Sequence, residues 1–199
     1  NLRSDKVDLN NTGNDFVGQV TVQTLGSGNS TVSIADTNNL SMQTGNLALA
    51  ARVQGNFNLQ ADNVEFGDTQ VDGASQIQST GSLTQSRSVT LNNASLTADQ
   101  IILTNSGNRF NGSTQVNSNG TVALSTRGDL NVNTTASTAT LAMDVGGDAV
   151  VSGTEVRFAD SQFDGELVVS ANQISQAGRL QVEGDAVLNA IGGEIDLQN

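Results

Sequence analysis

The chain has 199 residues, with 20 Asp and Glu against 8 Lys and Arg, a net charge of −12, and no Cys, His, Pro, Trp or Tyr. That balance excludes the basic face nucleic acid needs and opposes contact with anionic membranes. It also excludes disulfides, Cys-ligated zinc, a thiol nucleophile and a His base.

Short triplets with an apolar residue at the first and third positions run along the whole chain. The first is Val7-Asp8-Leu9, leading through Asn10 and Asn11 into Gly13-Asn14-Asp15-Phe16-Val17-Gly18. Val20-Thr21-Val22, Val32-Ser33-Ile34, Leu40-Ser41-Met42, Leu47-Ala48-Leu49, Phe57-Asn58-Leu59 and Val64-Glu65-Phe66 follow. Further on come Val89-Thr90-Leu91, Ile101-Ile102-Leu103, Val122-Ala123-Leu124, Leu130-Asn131-Val132, Val156-Arg157-Phe158 and Leu180-Gln181-Val182. Alternation with period two marks half-buried strands. Gly, Asn, Asp, Ser and Thr between them tolerate tight turns. Helical spacing is rare, so an all-β chain with little or no α-helix is expected. Without Pro, nearly every backbone N–H is free to join a ladder.

The spacing of the triplets selects the architecture. Val64 and Leu83 lie 83 − 64 = 19 residues apart; Ala149, Leu167 and Ala186 lie 18 and then 19 apart. A period near 19 holding two or three short strands fits one coil of a parallel β-helix, each coil stacked about 4.8 Å above the last. We expect about ten such coils in one continuous solenoid over residues 1–199.

A longer period lies over the short one. The opening triplet recurs at Ile101-Ile102-Leu103 and Ile195-Asp196-Leu197, with 101 − 7 = 94 and 195 − 101 = 94. Gly107-Asn108-Arg109-Phe110-Asn111-Gly112 repeats the first turn. Residues 63–73 align with 155–165 at an offset of 92, bringing Phe66 onto Phe158. The long repeats therefore run over about 7–100 and 101–194, with a third copy beginning at 195. On this register Val7, Ile101 and Ile195 begin equivalent coils five coils apart. Val7 and Ile101 then point inward, and Phe16 and Phe110 occupy equivalent places. The Phe residues read as buried rungs, since stacking platforms favour exposed aromatics.

Residues bearing chemistry are sparse. The acids stand singly and the one Lys and seven Arg are isolated, which does not favour the paired carboxylates of a glycosidase; no catalytic residue and no enzyme activity are expected. Asp68 with Asp72, repeated as Asp160 with Asp164, are weak calcium candidates, because carboxylates are hard oxygen ligands. Their spacing matches no known calcium loop, so they read first as polar turns and no cofactor is expected. Asn10, Asn29, Asn39, Asn93, Asn111, Asn119 and Asn133 each precede x-Ser or x-Thr; in so Asn-rich a chain these sequons read as chance. Stacked turn Asn residues, such as Asn14 and Asn108, can form amide ladders along a solenoid. Arg127-Gly128-Asp129 is an adhesion-type triplet placed in a turn. The corresponding first-repeat turn is Thr37-Asn38-Asn39, so ordinary turn chemistry is the favoured account. No apolar stretch is long enough for a membrane helix, and no membrane insertion is expected. Residues 1–15 show no leader pattern; an export signal is expected outside this sequence.

The phrases Gly13–Val22, 168–184 and Gly192-Gly193-Glu194-Ile195-Asp196-Leu197-Gln198-Asn199 resemble the long repeats of filamentous-haemagglutinin-type large exoproteins. The resemblance covers essentially the whole chain. It implies a right-handed parallel β-helix, secreted by an outer-membrane two-partner transporter and displayed at the bacterial surface as an adhesin fibre. It also implies integrin binding as a possible role for Arg127, Gly128 and Asp129. The family's secretion domain with its Asn-Pro motifs is absent here. The function expected is a structural stalk that holds a binding or effector region away from the cell, its receptor or glycan unidentified. The alternatives are a filament assembled by end-to-end stacking of solenoids, and a carbohydrate-binding or carbohydrate-cleaving β-helix.

Overall fold

The computed structural model describes residues 2–25, 30–42, 51–118, 120–134 and 140–197. Every regular element among them is a strand, and every strand pairing is parallel. Short strands separated by Asn-, Gly- and Asp-rich turns cannot each bury a face alone. They do so by stacking, turn on turn, into a parallel β-solenoid.

Three ladders carry the stack. In the first, one residue from each turn pairs with the next in the series Asp8, Ser33, Asn58, Gln76, Ser95, Gln115, Asn133, Ser152, Ser170 and Asn189. That series closes nine turns, one fewer than the sequence period suggests. The first two turns take 25 residues each (8 to 33, 33 to 58), and the later ones 18 to 20. The second ladder runs Leu40, Val64, Leu83, Ile101, Val122, Leu141 and Phe158. The third includes Leu2, Val22, Ala51, Thr69 and Val89; higher up, the stacked Leu130, Ala149, Leu167 and Ala186 open strands that run straight on into the first ladder.

The alternation read from the sequence is the burial pattern. Asn56–Ala61 alternates exposed and buried without exception, and Ser113–Asn117 does the same. The inward side chains form one continuous core from Val7 to Ile174. Phe57, Phe66, Phe158 and Phe163 are completely buried and Phe110 nearly so. Phe158 and Phe163 meet edge to face, with ring centroids 6.0 Å apart. They occupy the turns where another inward column has shrunk to Gly153 and Ala171, so bulk moves between ladders while the core stays filled.

The long-repeat register differs from expectation. Val7 and Ile101 both point inward, but Val7 lies in the first ladder and Ile101 in the second. Ile195 pairs with Ile174 in the upward continuation of the second ladder. Phe16 is half-buried against the core, not equivalent to buried Phe110. The cause is loop length. Residues held in loops outside the ladders can be added without breaking strand pairing. The two 25-residue turns thus absorb part of the first 94 residues, and four turns, not five, are complete before Ile101. Leu47-Ala48-Leu49, Asn29, Asn119, Gln198 and Asn199 lie outside the described residues.

The core is not wholly apolar. Thr114 and Ser75 point inward in the first ladder, and among the described residues their hydroxyls have no hydrogen-bond partner. A buried hydroxyl without a partner costs about 1–3 kcal/mol. Thr114→Val keeps the β-branched shape and removes that cost. We expect it to raise the thermal midpoint, by an amount corresponding to about 1 kcal/mol; a lower midpoint in a circular-dichroism melt would show that the hydroxyl is satisfied.

Candidate functional site

The turns, where polar side chains concentrate, are built from two devices. The first is the Asn-rich turn after a strand. Asn11 Oδ1 accepts from Gly13 N at 2.8 Å, and Asn105 Oδ1 from Gly107 N at 2.8 Å. The backbone closes identically, with Asn14 N donating to Asn11 O and Asn108 N to Asn105 O. The last Asn of each turn then reaches inward. Asn14 Nδ2 donates to Leu9 O at 2.8 Å and to Ala35 O, one turn above, at 3.2 Å. Asn108 Nδ2 does the same to Leu103 O at 2.9 Å and Ser125 O at 3.1 Å. Asn108 is completely buried, and its Oδ1 also accepts from Val89 N and Gln85 Nε2 on the turn below, each at 2.9 Å. One amide thereby uses its two donors and both acceptor sites across three consecutive turns. The two turns are alike although they follow different ladders, because each bonds only to its own strand and its immediate neighbours.

The second device was not read from the sequence. Gly128-Asp129, Gly147-Asp148, Gly165-Glu166 and Gly184-Asp185 lie one above another at steps of 18 and 19 residues, each just before one of the stacked strands Leu130–Thr134, Ala149–Phe158, Leu167–Gln176 and Ala186–Ala190. Gly165 N donates to Gly147 O at 3.1 Å, and Gly184 N to Gly165 O at 3.2 Å. Asp129 Oδ1 accepts from Asp148 N at 3.1 Å, and Asp148 Oδ1 from Glu166 N at 2.8 Å. The Arg127-Gly128-Asp129 triplet is therefore the lowest rung of a Gly–acid column, and the aspartate is already a structural acceptor. Its Gly-acid part recurs three more times, a signal visible in the 19-residue period but hidden by the 94-residue comparison. Arg127 and Asp129 are exposed. Beside them lies an open groove of about 520 Å³, lined by Arg109, Asn111, Asp129, Asp148 and Val150 among others.

Three of the four calcium candidates turn a carboxylate oxygen to separate partners. Asp72 Oδ1 accepts from Gln70 Nε2 at 2.8 Å, and Asp164 Oδ1 from Gln162 Nε2 at 3.1 Å, the same strand pair in both repeats. Asp160 Oδ1 accepts from Arg179 N at 2.8 Å on the next turn. Asp68 is half-buried, and its backbone carbonyl accepts from Ala51 N. Among the described residues no three acidic side chains gather as a metal site would require. The described sequon residues Asn10, Asn39, Asn93, Asn111 and Asn133 are all exposed. Asn14 and Asn108 do not stack into an amide ladder, since their side chains are turned to backbone carbonyls; single amide pairs form elsewhere, Asn63 Nδ2 donating to Asn39 Oδ1 at 2.6 Å and Asn111 Nδ2 to Asn92 Oδ1 at 2.7 Å.

Stacked turns, shared ladders and repeated turn devices define a β-solenoid repeat protein. The family described as "Repeats of unknown function (DUF5649)" matches residues 54–117 and 146–199, more than half of the chain. The chain belongs to that family. The two matched segments begin 146 − 54 = 92 residues apart, the offset at which 63–73 overlies 155–165. Comparison with curated proteins and with solved structures gives no match.

Two substitutions test the turn devices. A Cβ on Gly147 would lie 2.3 Å from Asp129 Oδ1 and 2.9 Å from Asp129 N, whereas one on Gly128 meets nothing within 4 Å. Gly147→Ala should lower the midpoint by the equivalent of about 1–3 kcal/mol, and Gly128→Ala should leave it unchanged or slightly higher; equal effects would place the column wrongly. Asn108→Ala strands buried carbonyls and a buried N–H, for an expected loss of about 2–4 kcal/mol. Asn14→Ala, at a half-buried position with fewer bonds, should cost less in the same melt.

Proposed function

We propose that this chain is a structural stalk segment of a secreted bacterial surface adhesin, setting distance between the cell and a region that binds. The observation that carries the reading is that nine successive turns form one uninterrupted stack. At about 4.8 Å per turn this gives a rod of roughly 43 Å from 199 residues. Polar side chains of its turns hold turn to turn, as Asn108, Asp129 and Asp148 do. The resemblance of its repeats to filamentous-haemagglutinin-type exoproteins supports surface display, with an outer-membrane two-partner transporter as the export partner.

Small-angle scattering tests the stalk directly. Two copies joined in series should double the long dimension while the cross-section stays constant; a compact tandem would overturn the reading. The role of the Arg-Gly-Asp triplet separates in the same protein. Asp129→Asn keeps the Oδ1 acceptor for Asp148 N and should preserve the melting midpoint, while Asp129→Ala should lower it by about 1 kcal/mol. A stalk also predicts no saturable binding of the wild-type segment to integrin-bearing cells. Saturable binding lost in Asp129→Asn would assign the triplet to recognition instead.

A further inference from the structure

The outer face of the first ladder differs from the rest of the surface. Its lowest strand, Lys6–Leu9, carries exposed Lys6 and Asp8; the nine segments stacked above it are Thr31–Ala35, Asn56–Ala61, 74–79, 92–97, Ser113–Asn117, Leu130–Thr134, 149–154, 167–172 and Ala186–Ala190. None of the nine contains an Asp, Glu, Lys or Arg, in a chain with 28 such residues. The third ladder carries Arg3, Arg52, Asp72 and Arg109, and the second Glu65, Asp144, Glu155 and Arg157. The central outward column of the bare face is Ser33, Asn58, Gln76, Ser95, Gln115, Asn133, Ser152, Ser170 and Asn189. Beside it stand stacked Val150, Val168 and Val187, of which Val150 is 44% and Val187 50% exposed. Surface charge is what keeps copies of a protein apart in solution; above Lys6 and Asp8 this face carries none.

We propose that this face pairs two copies of the chain side by side. A molecule of net charge −12 repels its own copy least where both surfaces are uncharged. Amides and hydroxyls both donate and accept, so the face can hydrogen-bond to itself, and the exposed valines gain burial. A basic partner would favour the acidic turns, and an acidic one is repelled by the whole molecule. The Gly–acid column at Asp129, Asp148, Glu166 and Asp185 borders one edge of the face and sets the arrangement. A two-fold axis along the solenoid keeps the two acidic columns at opposite edges and faces each central residue with its own copy. Eight strand spacings by five residues give about 600 Å² per copy, so about 1,200 Å² in all, the lower bound for a stable pair. The dimer is therefore concentration-dependent.

Sedimentation velocity over a concentration series tests this, with two variants of equal charge. Gln115→Glu puts a carboxylate in the centre of the face, and Gln100→Glu puts one on an exposed second-ladder position. We expect a wild-type monomer–dimer equilibrium, weakened at least tenfold by Gln115→Glu and little changed by Gln100→Glu, with unchanged circular dichroism in both. The chain has no cysteine, so Gln115→Cys should give a reducible covalent dimer on mild oxidation and Gln100→Cys should not. A wild type that stays monomeric at millimolar concentration overturns the proposal, as does equal weakening by the two Glu variants. A dimer that fails to cross-link through Gln115→Cys overturns the side-by-side arrangement. Monomers retarded by an amylose column, and released in Gln115→Glu, would give the face to a neutral glycan.

Discussion

Everything in this structure depends on the backbone of one turn being the hydrogen-bond partner of the next. A parallel strand has N–H and C=O groups on both edges, and burying them unpaired is costly. Stacking satisfies both edges of every internal turn with a single operation repeated about every 19 residues. The remaining features follow from keeping that operation possible. Proline is missing, the longer strands such as Thr69–Ser79 run on from one ladder into the next, and glycine sits where stacked turns approach too closely for a Cβ, as at Gly147, Gly165 and Gly184.

Turns are the difficult part of such a stack, since there the ladder is interrupted and backbone groups lose their regular partners. Side-chain amides and carboxylates replace them. Asn108 and Asn14 cap the carbonyls at a strand's end and on the turn above; Asp129 and Asp148 cap the N–H groups of the turn above theirs. This accounts for a composition rich in Asn, with acids outnumbering bases, yet poor in ion pairs. The one ion pair among the described residues, Lys6 with Asp8 at 4.0 Å, is exposed and weak.

The parts of the fold legible in the sequence were those set locally. Inward and outward positions follow from strict alternation, and the coil period from the distance between triplets, so Phe57, Phe66, Ile101 and Phe158 could be placed in the core from residue type and spacing alone. Which ladder a strand joins was not legible. It depends on the accumulated length of every preceding loop, and Val7 and Ile101 parted company because two early turns are longer. Among candidate functional residues, the Arg-Gly-Asp triplet drew notice as a motif. Its membership in a Gly–acid column was written in the 19-residue period, whereas the uncharged face exists only once the ladders are known.

Asn108 also has a mechanical meaning. Strands lie across the solenoid axis, so tension along the axis loads the ladders in opening mode and turns should peel away singly. Each would release about 19 residues, roughly 65 Å of extended chain. A side chain that grips the turn below, its own turn and the turn above converts that sequence of small yields into one larger yield at mid-rod. Such a rivet makes the rod's resistance to pulling uneven along its length, strongest where a single buried amide ties three turns together.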